Sequence, residues 1–458
     1  MKQLFILSLS ICLLWQCETP TSTQTVADED GWTDLFNGED LTGFKKLNGE
    51  ADYIVKDGVI IGTTKPNTPN TFMATEKMYG DFALELEYRV DDAINSGIQI
   101  RSNSLPDYRE GRVHGYQVEI DPSDRAYSAG IYDEARRGWL YPLSLNEEAR
   151  GAFKHNDWNK VYVECIDNSI KTWLNGVPTA YVIDDMTAEG FIALQVHSIR
   201  DDSLANKTIE WKNIKIKTEN IEPKAGDFPY IVNLVANDLS EGEQEKGWEL
   251  AWNGETTEGW RGAHMEAFPE KGWSVDNGEL IVEKSGGGES ENGGDIVTEK
   301  EYSAFEFQTE FMLTEGANSG IKYFVTEGYD LGKGSAIGLE FQILHDELHP
   351  DAKNGRDGNR TLGSLYDLIT AEKESRYVKK PGEWNHARVV VMPDNTVQHW
   401  LNHKKVVEYK KGSEDFMDLI EISKYKDFQD FGRWEQGHIL LQDHGDRVAF
   451  RSIKVREL

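Results

Sequence analysis

Two short stretches set a carboxylate and a carboxamide one residue apart within alternating runs. They are Gln117 and Glu119 in Tyr116-Gln117-Val118-Glu119-Ile120, and Glu340 and Gln342 in Leu339-Glu340-Phe341-Gln342-Ile343. Successive side chains of an extended strand point to opposite faces, so each pair shares a face and its apolar neighbours take the other. His197 and His444 each stand two residues beyond a strand glutamine, Gln195 and Gln442, and join that face. Arg101, Asp121, Tyr132 and Asp133 fall near strand ends in the first stretch, and Tyr366 and Asp367 answer in the second. A carboxylate, an imidazole, a phenol and a guanidinium converging on a hollow sheet can remove a proton, protonate a leaving oxygen and steady an oxyanion. The same pattern also describes a solvated sheet face, and a histidine at a strand end also serves as a structural hydrogen-bond partner.

The elements that must position these groups come twice. Asn95-Ser96-Gly97-Ile98 recurs as Asn318-Ser319-Gly320-Ile321, with Gly115 and Gly338 in the same register behind them. Trp158-Asn159 answers Trp384-Asn385, and Trp173-Leu174-Asn175 answers Trp400-Leu401-Asn402. A repeat of about 200 residues means two whole domains rather than a solenoid. Runs at 82–88, 97–101, 116–120, 170–174 and 191–195, and their partners in the second copy, alternate with period two between Asp-Gly, Asn-Gly and Gly-Trp turns. That pattern predicts antiparallel strands and an all-β chain of two tandem jelly-roll sandwiches. The expected division is a first domain over 31–218, a connector over 219–246 and a second domain over 247–458. The second copy carries insertions of about eleven residues before Tyr366 and about twenty between Trp400 and His444, where loops on a rigid scaffold set specificity.

One insertion reads His345-Asp346-Glu347-Leu348-His349-Pro350-Asp351. Its His345, Asp346, His349 and Asp351 offer imidazole and oxygen ligands for a divalent cation. The turn-rich 354–359 that follows lacks the acidic residue that closes an EF-hand. In the first copy, Trp139 beside Arg136 belongs to an unshared loop, and its ring suits the apolar face of a sugar as well as loop packing.

Residues 1–17 read as a lipoprotein-type signal: Lys2, an apolar stretch from Leu4, and Leu14-Trp15-Gln16-Cys17 as the cleavage box, with Cys17 acylated. Residues 18–30 are a polar tether. The expectation is an exported protein held to a membrane by its N-terminal lipid, periplasmic or on the cell surface. Of three cysteines only Cys165 then remains free, so no disulfide framework exists. A formal net charge of −31 argues against nucleic acid or another polyanion as partner.

A family resemblance rests on the residues above together with Gly130-Ile131-Tyr132-Asp133, Asp157-Trp158-Asn159, the 190–197 strand, His349-Pro350-Asp351, Gly363-Ser364-Leu365-Tyr366-Asp367 and the 437–444 strand. Both copies resemble the 3-keto-disaccharide hydrolase family, whose fold is a concanavalin- or laminarinase-like jelly roll. The resemblance implies cleavage of glycosides already oxidised at C3, where the ketone acidifies the C2 hydrogen and lets elimination break the C1–oxygen bond before water adds. On that reading Glu119 or His197 is the base, Tyr132 the acid and Arg101 the oxyanion partner, with Glu340, Tyr366 and His444 in the second copy. Gln117, Asp121, Asp133, Arg136, Trp139, Gln195, Gln342, Asp367 and Gln442 would bind substrate. Val196 against Asp443, and the absence of a His349 counterpart, separate the copies. A non-catalytic carbohydrate-binding protein is the competing reading. A two-carboxylate glycosidase is weaker, because each copy pairs its glutamate with an amide.

Overall fold

The computed structural model describes residues 30–286, 288–329, 331 and 334–458. The signal, Cys17 and all of the tether but Asp30 lie outside the described residues. No helix among the described residues is long and apolar enough to cross a membrane.

Period-two alternation produces strands throughout, and each half of the chain stacks two antiparallel sheets face to face. In the first copy the site-bearing sheet runs, in spatial order, Gly138–Tyr141, Ile131–Glu134, His114–Ile120, Ser96–Asn103, Phe191–Val196, Thr71–Thr75 and Phe44–Asn48. In the second copy it runs Trp260–Gly262, Ile296–Thr298, His438–Leu441, Asn318–Thr326 and Ile337–Leu344. Tyr116, Val118 and Ile120 turn inward to the first core, and Leu339, Phe341 and Ile343 to the second, so the glutamates and amides between them face away from it. The chain is therefore all-β, two concanavalin-like jelly rolls in tandem.

The duplication reaches backbone detail. Asp57-Gly58 and Asn277-Gly278 turn with both residues at positive φ, as a two-residue hairpin loop requires. Arg101 and Phe324 hold φ of 43° and 51° at equivalent places, each inside a register shift of its strand pair. In each copy an asparagine pair pins a corner: Asn175 donates to Asn159 at 2.8 Å, and Asn402 to Asn385 at 2.8 Å.

The connector is packed. Its Val232–Asn233 adds a parallel strand beside Val182 and Ile183 of the first copy. Its short helix Glu241–Glu245 begins with a capping box on Ser240. Glu243 in that helix meets Lys454 of the second copy at 2.8 Å, with both side chains 1% exposed. Tyr230 donates to Gln308, and Trp248 lies in the first copy's core cluster. Lys379 and Lys404 of the second copy donate to Arg137 O (2.8 Å) and the Tyr127 hydroxyl of the first.

Candidate active site

Each copy carries a cleft on the outer face of its site-bearing sheet, and in each the predicted groups meet. Glu340, Gln342, Tyr366, Gln442 and His444 line a cavity of about 340 Å³ in the second copy. Gln117, Glu119, Tyr132, Trp139 and His197 line one of about 580 Å³ in the first. The carboxylate and the histidine that sequence put on one face share one hollow in both.

In the second copy, Glu340 is 4% exposed, and burial pushes its carboxyl up to about 7 against the pull of Lys322 and Lys424. Gly320 makes room for it across the strand pair: a Cβ there would sit 2.4 Å from the Glu340 Oε1. Lys322 is buried beside Asp295 (3.4 Å) and Glu289 (3.6 Å); burial opposes its charge, but Asp295, Glu340 and Glu289 hold its pKa above the usual lysine value. Lys424 goes the other way. Burial lowers its pKa, Glu340 pulling against that shift and Lys322 adding to it, and its ammonium lies 4.1 Å over the Tyr366 ring. The Tyr366 hydroxyl donates to Asp351 at 2.7 Å, and burial and that carboxylate raise its pKa.

Both insertions of the second copy are built into this cleft. The longer one contains the helix Glu414–Glu421, capped by Ser413, with Phe416 and Ile420 buried. It sets Lys424, Tyr425 and Phe428 at the cavity. The shorter one brings His349 within reach of His444 and Asp446, whose ligand atoms all lie within 4.8 Å of one another. Two imidazoles and a carboxylate so grouped fit a divalent cation. His349 Nδ1 accepts the Asp351 amide at 3.2 Å, a bond it would have to release if the cation took the opposite ring nitrogen.

That trio corrects the expected metal set. His345 accepts from Gly316 N at 2.9 Å, Asp346 pairs with Lys373 at 3.0 Å, and Asp351 pairs with Arg360 at 2.9 Å and with Tyr366. Each is engaged elsewhere, so of the four only His349 belongs to a convergent group among the described residues.

In the first copy, Glu119 is 5% exposed and burial pushes its carboxyl up to about 7, although Asn95 (2.7 Å) and Gln117 (2.8 Å) donate to it. Gln99 and Gln195 both donate to Gln117 Oε1, at 2.5 and 3.0 Å. A row of three amides thus stands where the second copy has Lys322, Glu340 and Gln442. His197 donates from Nδ1 to Ser198 O at 2.7 Å, which leaves its other nitrogen as an acceptor. Tyr132 packs edge-on against Trp139 at 5.3 Å, and Arg125 lies 5.2 Å over the Trp139 ring.

Arg101 is a second correction. The bulge at its positive φ breaks the alternation. Its guanidinium, 1% exposed, binds Gly80 O, Asp167 O and Asp81 at 2.6–2.9 Å, away from the cleft. Several residues expected to touch substrate instead support those that line the cleft. Asp121 holds Arg125 at 2.7 Å; Asp133 binds Arg136 and Arg137, each at 2.6 Å; Asp367 holds Arg360 at 2.8 Å and Lys424 N at 2.7 Å. Arg136 is taken up by Asp133, Thr187 and the Tyr116 ring. Gln195 and Gln342 each keep a buried Oε1 with no hydrogen-bond partner among the described residues.

Sequence reasoning missed Lys322 and Lys424. Period two from Gly320 puts Lys322 on the site face, so the signal was present. Lys424 sits in an insertion with no counterpart to compare.

The family model described as a 3-keto-alpha-glucoside-1,2-lyase-like domain matches residues 31–217 and again 247–456. A Bacteroides thetaiotaomicron protein named 3-keto-disaccharide hydrolase is 36% identical over 234 residues, covering 46% of this chain and 79% of that protein. Among solved structures, a candidate glycosyl hydrolase from Parabacteroides distasonis is 30% identical with a TM-score of 0.43, covering 49% of this chain and 99% of that one. The carbohydrate-binding module CBM66 from Bacillus subtilis is 16% identical with a TM-score of 0.27, covering 38% of this chain and 95% of that one.

Proposed function

The chain belongs to the 3-keto-alpha-glucoside-1,2-lyase-like family, and from that premise we propose that its second copy cleaves glycosides already oxidised at C3 of the sugar. The observation that carries this reading is Glu340: a buried carboxyl titrating near 7, between two lysines whose pKa values are pushed apart. Pairs of titratable groups shifted in opposite directions mark acid and base assignments.

In this mechanism Glu340 takes the C2 proton as the C–H electron pair becomes the C2=C3 double bond and charge gathers on the C3 oxygen. Lys322, kept charged by its carboxylates, faces that oxyanion. When the carbonyl re-forms, the electrons move to C1=C2 and the C1–oxygen bond breaks. Lys424, the easier of the two lysines to deprotonate, gives the departing oxygen its proton. Water then adds at C1 and a proton returns to C2, so the balance is hydrolysis. Tyr366, its proton committed to Asp351, orients the Lys424 ammonium over its ring. His349, His444 and Asp446 are the residues that would hold a divalent cation, which would supply Lewis-acid stabilisation of charge developing on the sugar oxygens. Export and anchoring through Cys17 complete the proposal.

The test is turnover of a chromogenic 3-keto-glucoside by the full chain. Glu340→Gln should cut the rate by ~10²–10⁴-fold, the usual worth of a general base, while Glu119→Gln leaves it within threefold. Loss in Glu119→Gln alone would move the chemistry to the first copy. No turnover by the unmodified chain, with sugar binding intact, would leave a carbohydrate-binding protein.

A further inference from the structure

The first copy's cleft is not made by the first copy alone. Its far wall is Arg376, Tyr377, Lys379, Asn402 and Lys404, all from the second. The asparagine corner of the second copy builds that wall: Asn402 donates to Tyr377 O at 2.7 Å, and Asn385 accepts from Lys379 N at 3.0 Å. The equivalent corner of the first copy holds Ala152 and Lys154 instead. The repeated motif is thus used once for structure only and once to reach across to the neighbouring domain.

The composite cleft differs in charge from its counterpart. Five cationic side chains line it (Arg125, Arg137, Arg376, Lys379 and Lys404) against two carboxylates, Glu119 and Glu134. The second copy's cleft is balanced, with Lys322 and Lys424 against Glu289 and Glu340. The net charge of −31 argues against polyanions over the surface at large, but the cations gathered in this one hollow make a local exception where a short anionic chain can be held. Three are internally matched: Arg125 by Asp121, Arg137 by Asp133 and Asp184, Arg376 by Glu374. Lys379 and Lys404 are not. They donate to the Arg137 carbonyl and the Tyr127 hydroxyl, and among the described residues neither has a carboxylate within 4 Å. Beyond Tyr132, Glu134 and His197 the cleft continues into a second hollow of about 660 Å³ bearing Arg109, Arg112 and Arg200. Together the two hollows suit several sugar rings rather than one.

We propose that this composite cleft is a second carbohydrate site, distinct from the one at Glu340, and that it takes glycans bearing carboxylate or sulfate groups, whose anions pair with Lys379 and Lys404. Burial lowers the pKa of Lys379; Glu383 and Asp133, neither within ion-pair distance, pull against that shift and Arg137 adds to it, and an incoming anion in direct contact would offset the remaining cost. Tyr377 and Trp139 supply the apolar surface that a glycan also needs. The inference goes beyond the catalytic reading and does not require it.

The test is calorimetric titration of the full chain with a trigalacturonate, a sulfated trisaccharide, neutral maltotriose and inorganic phosphate. The acidic trisaccharides should bind at least tenfold tighter than maltotriose, with an affinity that falls as potassium chloride is raised. A preference between the carboxylated and sulfated probes names the anion; binding of phosphate as tight as either would reduce the site to a simple oxyanion pocket and overturn the glycan assignment. Lys379→Gln with Lys404→Gln should abolish the preference while turnover of the 3-keto-glucoside stays intact, which also reports that the variant is folded. Lys404→Gln alone, on a half-exposed hairpin, serves if the double variant does not fold. Glu340→Gln should leave acidic-glycan binding unchanged, so failure of the catalytic reading and failure of this one are separable. Equal affinity for neutral and acidic trisaccharides, or no effect of either lysine variant, would overturn it.

Discussion

Glu340 ties the proposed chemistry to a pH window. Its carboxyl is raised to about 7 by burial, and a base works only when ionised, so kcat/KM should climb with pH through a limb centred near 7 and level off above it. A limb near 4.5, the ordinary glutamate range, would show that the titrating base is an exposed carboxylate elsewhere. This residue was legible in sequence because its strand alternates and its copy supplies a control. Arg101 was not: a single left-handed residue in a bulge turned a side chain that period two assigns to the site toward Asp81 and Gly80. Period-two reasoning holds only as far as the ladder is regular.

At the scale of elements, the close crossing of two strands decides where the base can lie. Gly320 pairs with Gln342, yet its missing side chain leaves the space that Glu340 fills. Gly97 does the same for Gln117, whose Cδ lies 2.4 Å from where a Cβ would be. Neither glycine has a positive φ, so an alanine there is sterically, not conformationally, opposed. Gly320→Ala should therefore fold, losing about 1–3 kcal/mol to overpacking, while displacing the Glu340 carboxyl and lowering kcat at least tenfold with a smaller change in KM. Steady-state kinetics alongside urea unfolding check it; unchanged kcat would mean the carboxyl is not the reacting group. Strands and hairpins showed in the sequence through their alternation and turn pairs. The insertions did not. The helix Glu414–Glu421 and the segment bearing Lys424 have no repeat partner, and their placement depends on Phe416 and Ile420 finding a buried niche against Gly432.

For the whole molecule, the two halves act as one because the connector is wedged between them. Comparing the copies with each other could not show this, since what one copy does to its neighbour leaves no mark in the register they share. Glu243 is the fastener. One carboxylate oxygen accepts Lys454 at 2.8 Å; the other accepts Asn233 (2.7 Å) and Ser240, and Asn233 belongs to the strand laid on the first copy's sheet. A buried pair of this kind adds little net stability when compared with apolar replacements, but removing one partner strands the other charge at about 3–5 kcal/mol. Lys454→Met should cost that much in denaturant unfolding, and adding Glu243→Gln should recover at least half, because the stranded charge is gone while the amide can keep part of the contact with Asn233 and Ser240. The same single variant should weaken acidic-glycan binding at the composite cleft more than turnover at Glu340, since only the former needs the halves held in place. A loss below about 1 kcal/mol for Lys454→Met, the range of exposed ion pairs, would mean that the halves are held by apolar contacts such as Trp248 and that Glu243 merely caps its helix.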